Sequence, residues 1–204
     1  MKILKLLKET YPDVETALDF ENPYQLLVAT ILSAQTTDIQ VNKVTKNLFP
    51  KYPSPKELSE ATQEELENDI KTIGLYKNKS KNLIKTGKIL MEKFNGVIPD
   101  TREGLMELPG AGRKTANVVL SNAFNIPAIA VDTHVFRVSR RLGLSQGKTP
   151  DEVEQDLMKI IPKEDWKDAH HWLIWHGRLV CKAQNPNCQS CPLSSECCFF
   201  QNSH

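Results

Sequence analysis

Four cysteines near the C-terminus have the spacing of metal ligands. Cys181, Cys188, Cys191 and Cys197 form the pattern C-x6-C-x2-C-x5-C, and Cys198 follows directly. Thiolates bind both zinc and iron–sulfur clusters, and a C-x2-C pair alone does not separate the two. The N-terminus lacks the unbroken apolar centre of a signal peptide, so a reducing compartment is expected and disulfides are disfavoured. The spacing therefore predicts a metal centre and leaves its metal open.

A glycine-rich turn between two predicted helices could bind phosphate. It lies in the sequence LPGAGRKTA, residues 108–116. Gly110 and Gly112 let the backbone come close to a ligand, and the helix that follows directs its first N–H groups and its positive dipole end outwards. With Arg113 at the start of that helix, the segment is typical of a helix-hairpin-helix that holds a DNA backbone without reading its sequence. An ordinary helical hairpin is the alternative.

Lys114 is a candidate nucleophile. It lies in the first turn of the second predicted helix, beside Arg113. The helix dipole and the neighbouring cation both disfavour a protonated amine, and an unprotonated amine can attack carbon. A plain phosphate-binding lysine is an equally good interpretation of the residue alone.

Asp132 is a second candidate for a chemical role. It follows the apolar run Ile129–Val131 directly, and a carboxylate in such a setting is costly unless it has a partner or a task. A cap for the helix predicted from Thr133 is the alternative, and both roles can hold at once. His134 could face the same cleft, although a lone histidine is more often structural.

Helix signals run through the whole chain, and the charge is distributed unevenly. Ser54 and Thr149 each begin a capping-box pattern, Asp100 resembles a third cap, and no run of alternating strand residues is present. The sequence predicts an all-α protein with about ten short helices. The net charge is only +1, but residues 77–93 and 133–149 are basic and 57–69 are acidic. Either one side faces DNA or these are solvated helix faces.

In this order and with these gaps, the motifs closely resemble the endonuclease III family of the helix-hairpin-helix DNA glycosylase superfamily. The resemblance covers almost the whole chain and includes LSAQTTD (32–38), IGLY (73–76), HHWL (170–173) and HGR (176–178). It implies that the four spaced cysteines bind a [4Fe–4S] cluster, with Cys197 as the fourth ligand and Cys198 as a spare.

The resemblance also implies two helical domains around a DNA-binding cleft. Residues 16–126 would form a six-helix barrel that contains the hairpin at about 102–122. Residues 1–15 and 127–204 would form the second domain, with the cluster loop at its C-terminal end. Lys114 and Asp132 would then face each other across the mouth of the cleft.

The activity implied is that of a DNA glycosylase with an attached strand-cleaving lyase activity. The damaged nucleotide is flipped out of the duplex, Lys114 attacks C1′ of its sugar and displaces the base, and the resulting Schiff base leads to strand cleavage. Asp132 would help to deprotonate Lys114 and would stabilise positive charge on the sugar. Oxidised or ring-saturated pyrimidines and abasic sites are the substrates expected.

Gln35 and Leu75 match family residues that fill the gap left by the flipped nucleotide. Leu75, followed by Lys77, Lys79 and Lys81, suits an apolar wedge flanked by phosphate contacts, and core packing is the alternative for Leu75. The expected DNA-contacting set is Gln35, Leu75, Gly110, Gly112, Arg113 and His134.

Two rival functions remain in view. A monofunctional glycosylase of the same superfamily lacks a lysine at the hairpin position, whereas this chain has Lys114, and the chain ends seven residues after Cys197. A non-catalytic DNA-binding protein would need neither Lys114 nor Asp132. The expected partner is damaged double-stranded DNA. No run approaches the roughly 18 apolar residues of a membrane span, so no membrane is expected. The expected setting is the cytoplasm of a prokaryotic cell, and the expected oligomeric state is a monomer.

Overall fold

All regular secondary structure in residues 2–202, which a computed structural model describes, is helical. This part of the chain contains twelve α-helices and two 3-10 helices, so the all-α fold class is confirmed. The helix count exceeds the predicted ten because several helices are only one or two turns long. None of the helices between residues 2 and 202 is long and apolar enough to cross a membrane.

The chain divides into two compact units. The terminal unit consists of Met1–Glu15 and Pro127–His204, and the central unit is Thr16–Ile126. With helices numbered in chain order, the terminal unit contains α1 (Lys2–Thr10), α9 (Thr133–Leu142), α10 (Pro150–Ile160), α11 (Trp166–Leu179) and α12 (Cys198–Gln201), and 3-10 helices at Lys163–Asp165 and Ser194–Glu196.

Seven α-helices lie in the central unit, one more than the six that the resemblance implies. They are α2 (Pro23–Ser33), α3 (Asp38–Lys51), α4 (Pro55–Glu60), α5 (Gln63–Asp69), α6 (Tyr76–Phe94), α7 (Arg102–Met106) and α8 (Arg113–Ala123). Thr62 caps the Glu65 N–H and starts α5 just after α4 ends, so the acidic segment forms two short helices.

Helix α2 is the centre of the central unit. Every residue from 26 to 32 is buried, because the sequence is apolar on all sides of this helix rather than on one stripe. Helices α3, α6 and α8 pack against it, while α4 and α5 pack on α6 and α7 packs on α8. The C-terminal end of α2 and the N-terminal end of α6 therefore have fixed positions within this unit.

The terminal unit has a core of its own. Leu7, Val135, Leu157, Trp172 and Leu193 are at most 2% exposed and belong to one apolar cluster. Helix α11 packs against α9 and α1, and α10 and α12 pack against α9. Two of the cysteines belong to this same cluster, so the cysteine loop is anchored in the core.

The predicted helix starts are correct at Ser54 and Thr149 but wrong at Asp100. Thr149 forms a complete capping box with Glu152, and Ser54 accepts from the Lys56 N–H. At α7 the cap is Thr101, which has extended backbone angles and accepts from the Gly104 N–H at 3.2 Å. Both neighbouring residues are good caps, and the backbone conformation at Thr101 decides between them.

Candidate functional site

The backbone conformation requires glycine at only one of the two hairpin positions, 110 and 112. Gly110 has a φ of +85°, a conformation that L side chains rarely adopt, so the turn itself requires glycine there. Gly112 has a φ of −80° and a ψ of −177°, and a Cβ atom at this position would meet nothing within 4 Å. The fold alone does not require glycine at 112, and the space beside it is open to a ligand.

Lys114 is exposed in the first turn of α8. Residues 115–121 behind it are all buried, so the helix that carries Lys114 is held firmly. The N-cap of this helix is Gly112, which has no side chain to accept from the first N–H groups. A phosphate oxygen could accept from them instead.

The hairpin rests on α2 and α6. The Thr86 hydroxyl of α6 donates to the Pro109 carbonyl at 3.0 Å. A Cβ atom at Gly110 would lie 3.3 Å from Cγ2 of Ile31 and 3.4 Å from Nδ2 of Asn82, which belong to α2 and α6. The same two helices therefore position the hairpin and, at their ends, the turns that contain Gln35 and Leu75.

Gln35 and Leu75 lie in exposed turns with strained backbones. Their φ angles are 56° and 59°, which costs a non-glycine residue roughly 1–3 kcal/mol. Leu75 is 55% exposed, so the core-packing alternative for it is wrong. The structure brings the two turns together, because a Cβ atom at Gly74 would lie 2.9 Å from the Gln35 carbonyl oxygen.

The expectation that Lys79 contacts phosphate is wrong. Lys77 and Lys81 are exposed, but Lys79 is buried and donates from Nζ to the Leu32 carbonyl at 2.8 Å. Residue 79 lies on the face of α6 that also buries Leu83, one turn further along. The alternation of lysines in the sequence hides this helical periodicity.

Asp132 is the N-cap of α9. Its Oδ1 accepts from the Val135 N–H at 2.8 Å, and the residue is half-buried. Behind it, Nδ1 of the buried His170 lies 2.6 Å from the Ala130 carbonyl oxygen and fixes the preceding segment. The capping role is thus observed, and it leaves Asp132 held in one orientation at the start of the helix.

His134 is half-buried beside a cationic network. Its Nδ1 lies 3.1 Å from Nη2 of Arg137, and burial lowers its pKa, opposed by Asp132. A neutral ring is favoured in this setting. Contact with DNA stays a prediction for this residue.

The four spaced cysteines line one pocket. Cys181 and Cys197 are buried, and Cys188 and Cys191 are half-buried. Burial raises the pKa of the Cys188 and Cys191 thiols, and the other thiols of the set add to it. Four mutually repelling thiolates are tolerated only beside positive charge, so this donor set suits a bound metal centre.

Cys198 lies apart from that set. It is exposed and does not line the pocket, and a Cβ atom at Gly143 would lie 2.5 Å from its Sγ. Polar groups instead contact the sulfurs of the set. The Leu193 N–H donates to Cys191 Sγ at 3.4 Å, and Nε2 of His176 lies 3.6 Å from the same sulfur. Nη1 of Arg141 lies 3.5 Å from Cys181 Sγ, and the Arg141 carbonyl oxygen lies 3.5 Å from Cys197 Sγ. Among residues 2–202, no three His, Cys, Asp or Glu side chains are grouped so as to hold a single metal ion.

Two arginines that sequence reasoning treated only as part of a basic zone hold the cysteine loop. Arg137 donates to the carbonyls of Gly177 and Cys181, at 3.0 and 3.1 Å. Arg141 donates to the carbonyl of Lys182 at 2.7 Å. The only sequence signal for this role is a pair of arginines one helical turn apart with no acidic residue nearby.

Comparison with protein families and known proteins gives one consistent result. The family model described as "HhH-GPD superfamily base excision DNA repair protein" matches residues 28–163. Endonuclease III of Bacillus subtilis is 53% identical over 195 residues, which cover 95% of this chain and 89% of that protein. Endonuclease III of Escherichia coli K12 is 49% identical over 197 residues, which cover 97% and 93%.

Two solved structures agree with this. One is a non-covalent endonuclease III–DNA complex, with a TM-score of 0.95 and 52% identity over 99% of this chain and 95% of that one. The other is a trapped endonuclease III–DNA covalent intermediate with an estranged adenine, with a TM-score of 0.94 and 52% identity over 98% and 94%. This chain therefore belongs to the endonuclease III family, within the HhH-GPD superfamily of base excision DNA repair proteins.

Proposed function

We propose that this protein is a bifunctional DNA glycosylase and abasic-site lyase of base excision repair. The observation that carries the proposal is Lys114, an exposed amine in the first turn of α8 directly after the Gly110–Gly112 hairpin. The relative trapped as a covalent intermediate with DNA is 52% identical to this chain. A lysine at this position supplies the amine that such a covalent step needs.

Lys114 carries the covalent chemistry. Its unprotonated Nζ attacks C1′ of the flipped nucleotide, the C1′–N bond to the base breaks, and the base leaves with a proton. The ring oxygen then leaves C1′ as the 4′-hydroxyl, and Nζ and C1′ form an imine. A base then removes a proton from C2′, and the protonated imine becomes an enamine. Its electron pair returns through C2′, which forms a C2′–C3′ double bond and breaks the C3′–O bond, so the 3′-phosphate is expelled and the strand is nicked.

Asp132 is the proposed proton acceptor for Lys114. A carboxylate beside the attacking amine can accept its proton as the new bond to C1′ forms, and it stabilises positive charge that develops on the sugar. The N-cap contact to Val135 uses Oδ1, so capping and proton transfer can be served by different oxygens of one carboxylate.

The remaining proposed contacts divide between holding DNA and opening it. Gly112 and Arg113 would bind a phosphate of the backbone, and His134 of the terminal unit is a further proposed DNA contact. Gln35 and Leu75 would enter the base stack where the damaged nucleotide has left. Exposed side chains on strained turns suit that task, because strain of this kind is retained where a defined geometry is needed.

We also propose that Cys181, Cys188, Cys191 and Cys197 hold a [4Fe–4S] cluster in the terminal unit. Such a cluster supplies four iron sites for thiolates and thereby stabilises the loop between α11 and α12. The pocket they line, the N–H donor to Cys191 and the guanidinium beside Cys181 support it. We further propose that the protein acts as a monomer in the cytoplasm of a prokaryotic cell, because the similar endonuclease III proteins come from bacteria.

Borohydride trapping tests the function directly. The wild-type protein, incubated with a duplex that contains one ring-saturated pyrimidine, should form a covalent adduct and a nicked strand. Lys114→Gln should lose both and keep most of its DNA affinity, because one charge among many contributes little to binding. Lys5→Gln removes another exposed lysine, from α1, and should trap normally.

Two results would contradict this proposal. If Lys114→Gln still forms the adduct, the nucleophile lies elsewhere. If the wild-type protein releases the base without an adduct or a nick, it is a monofunctional glycosylase.

A further inference from the structure

One lysine on α6 is buried, although the flanking lysines Lys77 and Lys81 are exposed. Lys79 is 5% exposed, and burial lowers the pKa of its ammonium group. Taking a charged group out of water is costly unless it is fully hydrogen-bonded. A lysine retained in such a place therefore calls for a structural or functional account.

The Lys79 ammonium binds the C-terminal end of α2. Its Nζ donates to the carbonyls of Leu32 and Ala34, at 2.8 and 2.5 Å, and lies 3.3 Å from the Thr36 hydroxyl oxygen. The last carbonyls of a helix lack partners within the helix and form the negative end of its dipole. All three protons of the ammonium thus have an acceptor, and Lys79 connects the last turn of α2 with the turn that follows it.

The same lysine also belongs to the second strained turn. Its backbone N–H donates to the Leu75 carbonyl at 3.1 Å. The Thr36 hydroxyl that Lys79 contacts also accepts from the Gly74 N–H at 3.1 Å. One residue therefore connects the turn that carries Gln35 with the turn that carries Leu75.

We propose that Lys79 is a positioning residue that fixes the separation of Gln35 and Leu75 for entry into the DNA base stack. The inference rests on the proposed function, which assigns those two side chains to the gap left by the flipped nucleotide. Residues with positive φ stay in place only when the surrounding structure holds them. Without the ammonium, the turns relax, and the two side chains no longer match a gap of one nucleotide.

The test compares a paired lesion with the same lesion left unpaired. Base release is measured under single-turnover conditions for dihydrouracil opposite guanine in a full duplex, and for dihydrouracil inside a short mismatched bubble. Nucleotide flipping is costly only in the first. Lys79→Met, which keeps length and removes the donors, should slow the paired reaction by roughly 10²-fold, as a misplacement of about 1 Å can. The bubble reaction should change only a few-fold.

Two further variants make the comparison decisive. Thr36→Val keeps the side-chain volume and removes the hydroxyl acceptor that Lys79 and Gly74 share. It should therefore lower the ratio of the paired rate to the bubble rate, as Lys79→Met does. If Lys79→Met does not fold, Thr36→Val tests the proposal in its place. Lys85→Met removes an exposed charge from α6 and should leave the ratio unchanged. A 2-aminopurine beside the lesion should brighten with the wild-type protein and not with Lys79→Met.

If Lys79→Met slows base release equally on both substrates, or slows it on neither, the proposed role of Lys79 is wrong. This outcome is separate from a failure of the proposed function. If Lys114 is the nucleophile, the wild-type protein and Lys79→Met must both still trap on the bubble substrate. If neither traps, the proposed function fails, whatever the ratio.

Discussion

Asp132 has one observed role and one proposed role, and two substitutions separate them. It caps α9 through Oδ1, and we propose that its charge assists Lys114. Asparagine caps a helix about as well as aspartate, so Asp132→Asn should lose only the charge–dipole part of the stability, about 0.3–1 kcal/mol. The rate of base release should fall by about 10²–10⁴-fold, the usual effect of losing a placed acid–base group.

Asp132→Ala removes the cap as well as the charge. Its loss of stability should be larger, typically ~1 kcal/mol for the cap alone, while its rate per folded molecule should match that of Asp132→Asn. Thr149→Ala is the matched control, because it breaks the capping box of α10 in the same unit. It should cost a similar ~1 kcal/mol and leave the rate unchanged.

The assay combines urea denaturation with single-turnover base release, and then repeats the kinetics on a preformed abasic site. In Asp132→Asn, the rate of cleavage at the abasic site should fall less than the rate of base release, since no base has to leave from that site. The reasoning is refuted if Asp132→Asn reacts at the wild-type rate while Asp132→Ala only loses stability. Asp132 would then be a helix cap and nothing more.

Two other predictions concern the cysteines and the hairpin. Cys197→Ser should lose the metal centre and Cys198→Ser should keep it. The measurement is the iron content and visible absorbance of protein purified without oxygen, with about four irons per chain expected when the cluster is bound. Stoichiometric zinc in a colourless protein would contradict the cluster. Gly112→Val should fold normally but bind damaged and undamaged duplexes more weakly, since its side chain fills open space beside the phosphate site. Gly110→Val should instead lower the free energy of unfolding, because the φ of residue 110 is +85°. If folded Gly112→Val binds both duplexes normally, the hairpin is not the segment that holds the DNA backbone.

Local structure could be predicted from the sequence where the signal is local. The turn between α7 and α8, the cap at Thr149 and the four cysteines around one pocket each depend on residues a few positions apart, and short-range geometry determines what such patterns can form. The roles of the hairpin glycines and of the cysteines stay predictions. The choice between Asp100 and Thr101 shows the limit of this, since both residue types cap helices well. Only the backbone angles distinguish them.

The residues that sequence reasoning missed act over long separations. Lys79 binds a carbonyl 47 residues away, and Arg137 binds one 44 residues away. Their acceptors are backbone carbonyls, which every residue possesses, so no complementary side chain marks the partner in the sequence. A lysine among lysines and an arginine among arginines are therefore interpreted as surface charge until the fold shows which of them is turned inwards.

Within the terminal unit, α9 connects the proposed catalytic carboxylate to the cysteine loop. Asp132 caps its first turn, and Arg137 and Arg141, one and two turns further along, hold the carbonyls of Cys181 and Lys182. The proposed metal centre would order this loop and with it the carbonyls that the two arginines bind, and so would fix α9. Loss of that centre should thus affect Asp132 indirectly, whereas the hairpin and Lys114 depend on α2 and α6 of the central unit. The proposed proton acceptor and the hairpin therefore depend on different units, and this is why variants of Asp132 and of the hairpin glycines can be expected to have separate effects on the rate and on DNA binding.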